Sequence, residues 1–169
     1  GEVPCVWNGI PIAYADYSAT VSAVDQQTGC YEMVLSLDNE DLTTSVTLNR
    51  GKVYVVDGLL QIGAGGMLEI EPSTIVKLTR NSRICVLPGG SCVANGVIFT
   101  HIADDEVGGD TNGDGDATKP VMGGYKLSGK IYDDETTEYR YTAPVVLSGT
   151  ISSDTRWRGW KVYHVTGNL

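Results

Sequence analysis

The chain of 169 residues holds one phenylalanine and two histidines, and it has no apolar run long enough to cross a bilayer. Scarce phenylalanine excludes a core built on purely apolar rings. With nine tyrosines and three tryptophans, most aromatic surface carries a polar tip that can stay partly wet. His101 and His164 stand alone in the sequence, so each reads as a packed or surface residue and not as a base. No G-x-S-x-G nucleophile motif occurs. Positive charge is also short: 12 basic against 21 acidic residues, a net charge of −9. Phosphate binding needs a basic footprint, which excludes nucleic acid. An acidic polymer is disfavoured unless calcium bridges the two, whereas a neutral glycan is compatible. No secretory signal is recognisable, and the expectation is that Gly1 begins a mature or trimmed chain.

Cysteine is limited to Cys5, Cys30, Cys85 and Cys92, none in C-x-x-C spacing, which makes zinc or thioredoxin-type redox a poor reading. The simplest pairing is Cys5–Cys30 with Cys85–Cys92, although four cysteines allow three connectivities and free buried thiols are the alternative. Disulfides would imply an oxidising compartment.

What the chain has is glycine, 21 in all, and short alternating apolar runs. Over residues 53–100, Leu68-Glu69-Ile70-Glu71 and Val76-Lys77-Leu78 place apolar residues two apart, the pattern of half-buried strands. Between runs lie Asp57-Gly58, Gly63-Ala64-Gly65-Gly66, Pro88-Gly89-Gly90 and Asn95-Gly96, all compatible with turns. Tyr54-Val55-Val56, Leu68-Glu69-Ile70 and Ile84-Cys85-Val86 recur roughly 15 residues apart, a regularity of the kind a solenoid needs. The length predicts one domain.

The stretch Gly66-Met67-Leu68-Glu69-Ile70-Glu71-Pro72-Ser73-Thr74-Ile75-Val76-Lys77 resembles the G-x-L-x-I-x-P-G-x-x-I-K rung of right-handed parallel β-helix domains of the pectate-lyase-like superfamily in secreted bacterial proteins. Val97-Ile98-Phe99-Thr100, the acidic segment from Asp104 to Gly115, and Arg156-Trp157-Arg158-Gly159-Trp160 follow in the family's order. Ser73 stands where that pattern has glycine, and Trp160 where it has isoleucine. The resemblance implies an all-β fold, a short right-handed parallel β-helix with an N-terminal cap over 1–45 and coils over 46–100. A long acidic loop and hairpin insertion follows over 101–156, and a last coil over 157–169. The hairpin is expected from Tyr125-Lys126-Leu127, Lys130-Ile131-Tyr132 and Tyr139-Arg140-Tyr141.

Asp110-Thr111-Asn112-Gly113-Asp114-Gly115-Asp116 places oxygen side chains at alternate positions, as in half an EF-hand loop. Position twelve would be Val121, so the bidentate glutamate is missing. Asp110, Asn112, Asp114 and Asp116, helped by Asp104, Asp105 or a backbone carbonyl, are the expected ligands of a structural calcium ion. The second cluster is aromatic. Trp157, Trp160, Tyr125, Tyr132, Tyr139 and Tyr141, with Arg156 and Arg158, are the expected platform for a sugar ring. Lys77, Arg80 and Arg83 lie on or near a rung, but no aspartate cluster shares those rungs, which argues against a lyase. The resemblance, taken further to β-helical xylan-binding modules, implies a non-catalytic carbohydrate-binding module for a plant-type polysaccharide, xylan-like or another neutral β-glycan. It would be secreted or on the cell surface, within a larger multidomain protein. The alternatives are a structural adhesin module and a small polysaccharide lyase.

Overall fold

The structure is a computed structural model that describes residues 17–142 and the backbone of four short strands outside that range. It is all-β, and the described residues include no helix. In chain order the strands are β1 (Val6–Trp7), β2 (Ile10–Pro11), β3 (Ala19–Val24), β4 (Tyr31–Leu37), β5 (Ser45–Leu48), β6 (Val53–Ile62), β7 (Met67–Ile70) and β8 (Ile75–Leu78). There follow β9 (Arg83–Val86), β10 (Ser91–Ala94), β11 (Ile98–His101), β12 (Lys126–Ser128), β13 (Ile131–Asp133), β14 (Glu138–Tyr139), β15 (Val145–Ser148) and β16 (Tyr163–Thr166).

Four strands, β5, β7, β10 and β13, make a sheet that is parallel throughout. Its register sets Ser45 against Met67 and Met67 against Ser91, intervals of 22 and 24 residues. The second sheet has eight strands and is mixed. The long β6 runs through its middle. The first part of β6 pairs in parallel with β8, Val53 opposite Ile75, and the second part with β9, Leu59 opposite Arg83. Asp57 and Gly58 lie between the two parts, so the sheet divides there into two strips. One strip continues from β8 to β11 and β14, and the other from β9 to β12. Every pairing within residues 45–101 is therefore parallel. The spacing of about 15 residues seen in the sequence joins strands of different strips; the hydrogen-bonded repeat is the longer one of 22–24.

The antiparallel pairs lie at the start. β3 lines the free edge of β6, Val24 opposite Val53 and Ala19 opposite Gly58, and β4 pairs with β3 outside it. This hairpin covers an edge that would otherwise present unpaired N–H and C=O groups. Between Val21 and Ser22 the β3–β4 register slips by one residue, leaving Val34 as a bulge. Bulges twist an edge away from further pairing. Part of the expected cap over 1–45 is thus a β-hairpin.

The three strips share one core. Leu68 and Ile70, Val76 and Leu78, and Ile84 all turn into it, as do Leu48, Tyr54, Leu60, Ile62 and Phe99. Each such side chain contributes about 1.5–3 kcal/mol by leaving water. The inward positions alternate with outward ones such as Glu69, as strand geometry requires.

Two expectations are corrected. The segment 125–141 is not a hairpin. β12, β13 and β14 do not pair with one another; each adds in parallel to the edge of a different strip. Among the described residues up to 142, the excursion therefore covers 102–124, and parallel strands resume at Lys126. The second correction concerns the cysteines. Cys30 is an exposed free thiol and Cys92 a buried free thiol, so neither Cys5–Cys30 nor Cys85–Cys92 forms. Cys92 points into the main core, whereas Cys85 packs with Leu87 and Leu59 in a separate cluster, and the sheet wall keeps the two sulfurs apart. Burial raises the Cys92 thiol pKa to about 12, with Asp133 adding to the shift. Cys5 lies outside the described residues.

The turns carry testable weight. A Cβ on Gly66 would collide with the carbonyl oxygen of Leu42, so Gly66→Ala is expected to cost about 1–3 kcal/mol, read as a lower urea midpoint at unchanged slope. Ser73, which stands in place of a glycine in the rung pattern, has a left-handed backbone with φ 66°. Since that conformation costs a side chain roughly 1 kcal/mol, Ser73→Gly is expected to raise the unfolding free energy read from the same titration by up to about 1 kcal/mol or leave it level. A clear loss would show that the Ser73 side chain stabilises this turn.

Candidate metal centre in the acidic loop

Residues 102–124 leave β11 and fold back over the outward face of the β6–β8–β11 strip. Two buried groups fix the start of this loop. Lys77 faces outward on β8, between Val55 of β6 and Thr100 of β11 in the register, yet it is 0% exposed because the loop covers it. Its Nζ donates to the carbonyl oxygens of Asp104 at 2.8 Å and Gly109 at 2.6 Å. Burial pulls the Lys77 pKa down, against the charges of Asp104, Asp105 and Asp110, which push it up. Gly108 lies on the lysine stem; a Cβ there would come within 3.2 Å of Lys77 Cε and of Val53 Cγ2.

Asp104 is 1% exposed. Its carboxylate accepts from Thr100 Oγ1 at 2.5 Å and from Arg140 Nε at 2.8 Å. Arg140 also reaches Glu106 at 2.9 Å and Glu138 at 3.2 Å. Burial works against the guanidinium charge, but the bonds to Asp104, Glu138 and Glu106 outweigh it and raise the pKa further.

The outer part of the loop is bonded mainly to itself. Asp110 accepts from the backbone N–H of Gly113 at 2.9 Å, Asp114 at 3.2 Å and Gly115 at 2.8 Å. Asn112 Nδ2 donates to Asp114 Oδ2 and Thr118 Oγ1, and Thr118 donates to the same Asp114 oxygen. Asp116 pairs with Lys119. The curl brings carboxylate oxygens of Asp105, Asp110 and Asp114 within 4.8 Å of one another. Asp105 Oδ1 and Asp114 Oδ1 are buried without a hydrogen-bond partner. Burial, reinforced by the charges of Asp110 and Asp114, raises the Asp105 pKa.

Of the five carboxylates among the six expected ligands, three converge. Asp104 is committed to Arg140 and Thr100, Asp116 to Lys119, and Asn112 binds within the loop through its amide nitrogen. Asp105 is the member the D-x-N-x-D-x-D spacing does not contain; it enters because the loop start runs beside the curl.

The aromatic platform is not assembled as expected. Tyr125 is fully buried and donates its hydroxyl to the Arg140 carbonyl at 2.6 Å. Tyr139 is also in the core, stacked on Phe99 with ring centroids 5.3 Å apart. Both rings fill the interior that the resumed strand repeat creates. Tyr132 is 53% exposed on the four-stranded sheet, with Lys130 Nζ 4.9 Å from its ring. Tyr141 is half-buried beneath the Arg140 guanidinium, beyond β14 on the other sheet. Trp157, Trp160, Arg156 and Arg158 lie outside the described residues. Of the basic residues near a rung, Arg80 is exposed, and Arg83 is buried, which lowers its pKa to about 10. His101 is buried, its Nδ1 accepting from the Ala103 N–H at 3.1 Å, and burial lowers its pKa.

The sequence did not show Lys77 and Arg140 as fasteners of the acidic loop. Lys77 reads as an ordinary outward strand position, and only the loop lying across it makes it internal. The Asp104–Arg140 pair is the fastening most exposed to mutation. Arg140→Met leaves a buried carboxylate without its cation and is expected to cost about 3 kcal/mol, measured by urea unfolding. A change below about 0.5 kcal/mol would show that Thr100 and water hold Asp104 unaided.

No protein-family model, no curated protein and no solved structure matches the chain.

Proposed function

We propose that the chain is a non-catalytic β-helical module of a secreted or cell-surface protein, with a structural calcium ion held by its acidic loop. The observation that carries this reading is the meeting of Asp105, Asp110 and Asp114, with one oxygen of Asp105 and one of Asp114 buried and unbonded. Three crowded carboxylates repel one another, and a divalent cation removes that repulsion. The donors are hard oxygens, and among the described residues no histidine or cysteine joins them. An irregular, glycine-rich loop suits the flexible six- to eight-oxygen shell of calcium better than the strict octahedron of magnesium. Carbonyls and water would complete the shell.

A β-helix is supported by parallel registers that recur every 22–24 residues across three strips around one core. A non-catalytic role is supported by how the buried ionisable groups of the site are used. Lys77 holds two carbonyls, Asp104 holds Arg140, and His101 Nδ1 holds a backbone amide.

Isothermal titration with calcium tests the metal, alongside thermal unfolding in calcium and in chelator. Calcium is expected to raise the melting temperature by several degrees, consistent with ligand linkage of roughly 2–4 kcal/mol at saturation. Asp114→Asn is expected to abolish the difference between calcium and chelator, whatever it does to the value in chelator alone. Equal melting temperatures in calcium and chelator would remove the metal from the account.

Polysaccharide binding is the second reading, and Tyr132 favours it. This ring is exposed on the outward side of the parallel sheet, opposite Val93, in a row that continues to Glu69 and then to Thr47. Retardation in a xylan gel that Tyr132→Ala removes would support it; equal mobility with and without xylan would leave a structural or adhesive module.

A further inference from the structure

The acidic loop has two halves held by different means. The outer half, residues 110–119, makes its hydrogen bonds almost entirely within itself; among the described residues its one bond to the sheet body is from Tyr31 Oη to the Thr111 carbonyl at 2.8 Å. The inner half, residues 103–109, is bonded to strands. Lys77 Nζ bridges the carbonyls of Asp104 and Gly109, five positions apart, so one ammonium closes both ends of a six-residue arc. Thr100 and Arg140 hold the Asp104 carboxylate from the same strip, and Gln26 of the β3–β4 turn donates to the Gly108 carbonyl at 3.3 Å.

We propose that the buried Lys77 ammonium is the built-in cation that docks the acidic loop, so that residues 103–109 stay on the sheet without any divalent ion. A lysine at an outward strand position normally keeps its head in water along an apolar stem. Here Gly108 lies against the stem, with Val53 and Ile75 close to the same glycine, and the two carbonyls replace the lost water. An ammonium bonded in this way is strong because one partner is charged and the surroundings are of low dielectric. Asp104 and Asp105 then sit beside a fixed positive charge, which offsets part of the repulsion in a loop rich in carboxylates. A divalent ion at Asp105, Asp110 and Asp114 does something else, tying the outer curl to an inner half that is already in place. Lys77 is thus a positioning residue for the loop, and its role goes beyond the calcium reading without depending on it.

Hydrogen exchange followed by mass spectrometry on the intact chain separates the two fasteners. Wild type, Lys77→Met and Lys77→Arg are compared in chelator and in excess calcium, reading peptides that cover 103–109 and 110–119. Wild-type 103–109 is expected to exchange equally slowly in both buffers. Lys77→Met is expected to speed its exchange at least tenfold in both, and Lys77→Arg, which keeps a charge but not the single-point bridge, to fall between. Loss of protection over 103–109 in wild type on adding chelator would overturn the proposal, as would unchanged exchange in Lys77→Met. If Lys77→Met does not fold, the wild-type comparison and Lys77→Arg decide. A chain that binds no calcium would give coincident wild-type traces over 110–119 in the two buffers while the effect of Lys77 remained, so the two readings fail separately.

Discussion

Backbone hydrogen bonding between strands 22–24 residues apart is the constraint on which the structure depends. A strand of four residues cannot stand alone, because its N–H and C=O groups must find partners and its single apolar face must be covered. Stacking the next repeat in parallel supplies both at once. Long apolar runs are not needed. Two inward apolar residues per strand suffice, because those above and below continue the row, as Val56 with Leu78 and Leu68 with Cys92 do. The same logic explains the close turn at Gly66, where the chain passes against the Leu42 carbonyl of the preceding repeat. It also explains the antiparallel β3–β4 hairpin, which closes one edge of β6 and ends in a bulged strand.

Stacking creates outward surface as well as a core, and the acidic loop uses it. A chain of net charge −9 that lays a carboxylate-rich loop on its own sheet must place cations beneath it. Lys77 and Arg140 are those cations. Both lie on one strip, and both are committed to the inner half of the loop. The outer curl, rich in Gly and Asp, has no buried cation of its own among the described residues, and it is there that Asp105, Asp110 and Asp114 crowd together. Charge balance thus divides the loop into a part the protein satisfies by itself and a part that an added ion would complete.

Much of the fold was legible residue by residue. Leu68-Glu69-Ile70 and Val76-Lys77-Leu78 alternate because one side of each strand faces the core, and β7 and β8 lie where the alternation puts them. The polar turn Asp25 to Gly29 separates β3 from β4 as its composition suggests. The segment 125–141 misled because three short runs close together suit a hairpin and a parallel repeat equally well. Only the identity of the partner separates them, and the partners, Arg83, Cys92 and Ile98, lie about 40 residues away. Tyr125 and Tyr139 misled for a related reason: a tyrosine carries the same side chain whether its ring covers a core or meets a ligand.

Local chemistry determined what can be read from neighbours in sequence: strand positions, turns, the curl of Asp110 to Asp116, the acidic surface. Those properties depend on steric and charge preferences acting over a few residues. Tertiary structure alone decided which strands pair, that Cys92 faces the core while Cys85 does not, that of Asp104 and Asp105 it is Asp105 that lies beside Asp110 and Asp114, and that Lys77 is internal. Strand pairing, the facing of the cysteines and the burial of Lys77 depend on what lies opposite a side chain across roughly 20 or more residues of sequence, and alternation along a strand carries no record of it; the Asp105 contact depends on how the loop curls back on itself.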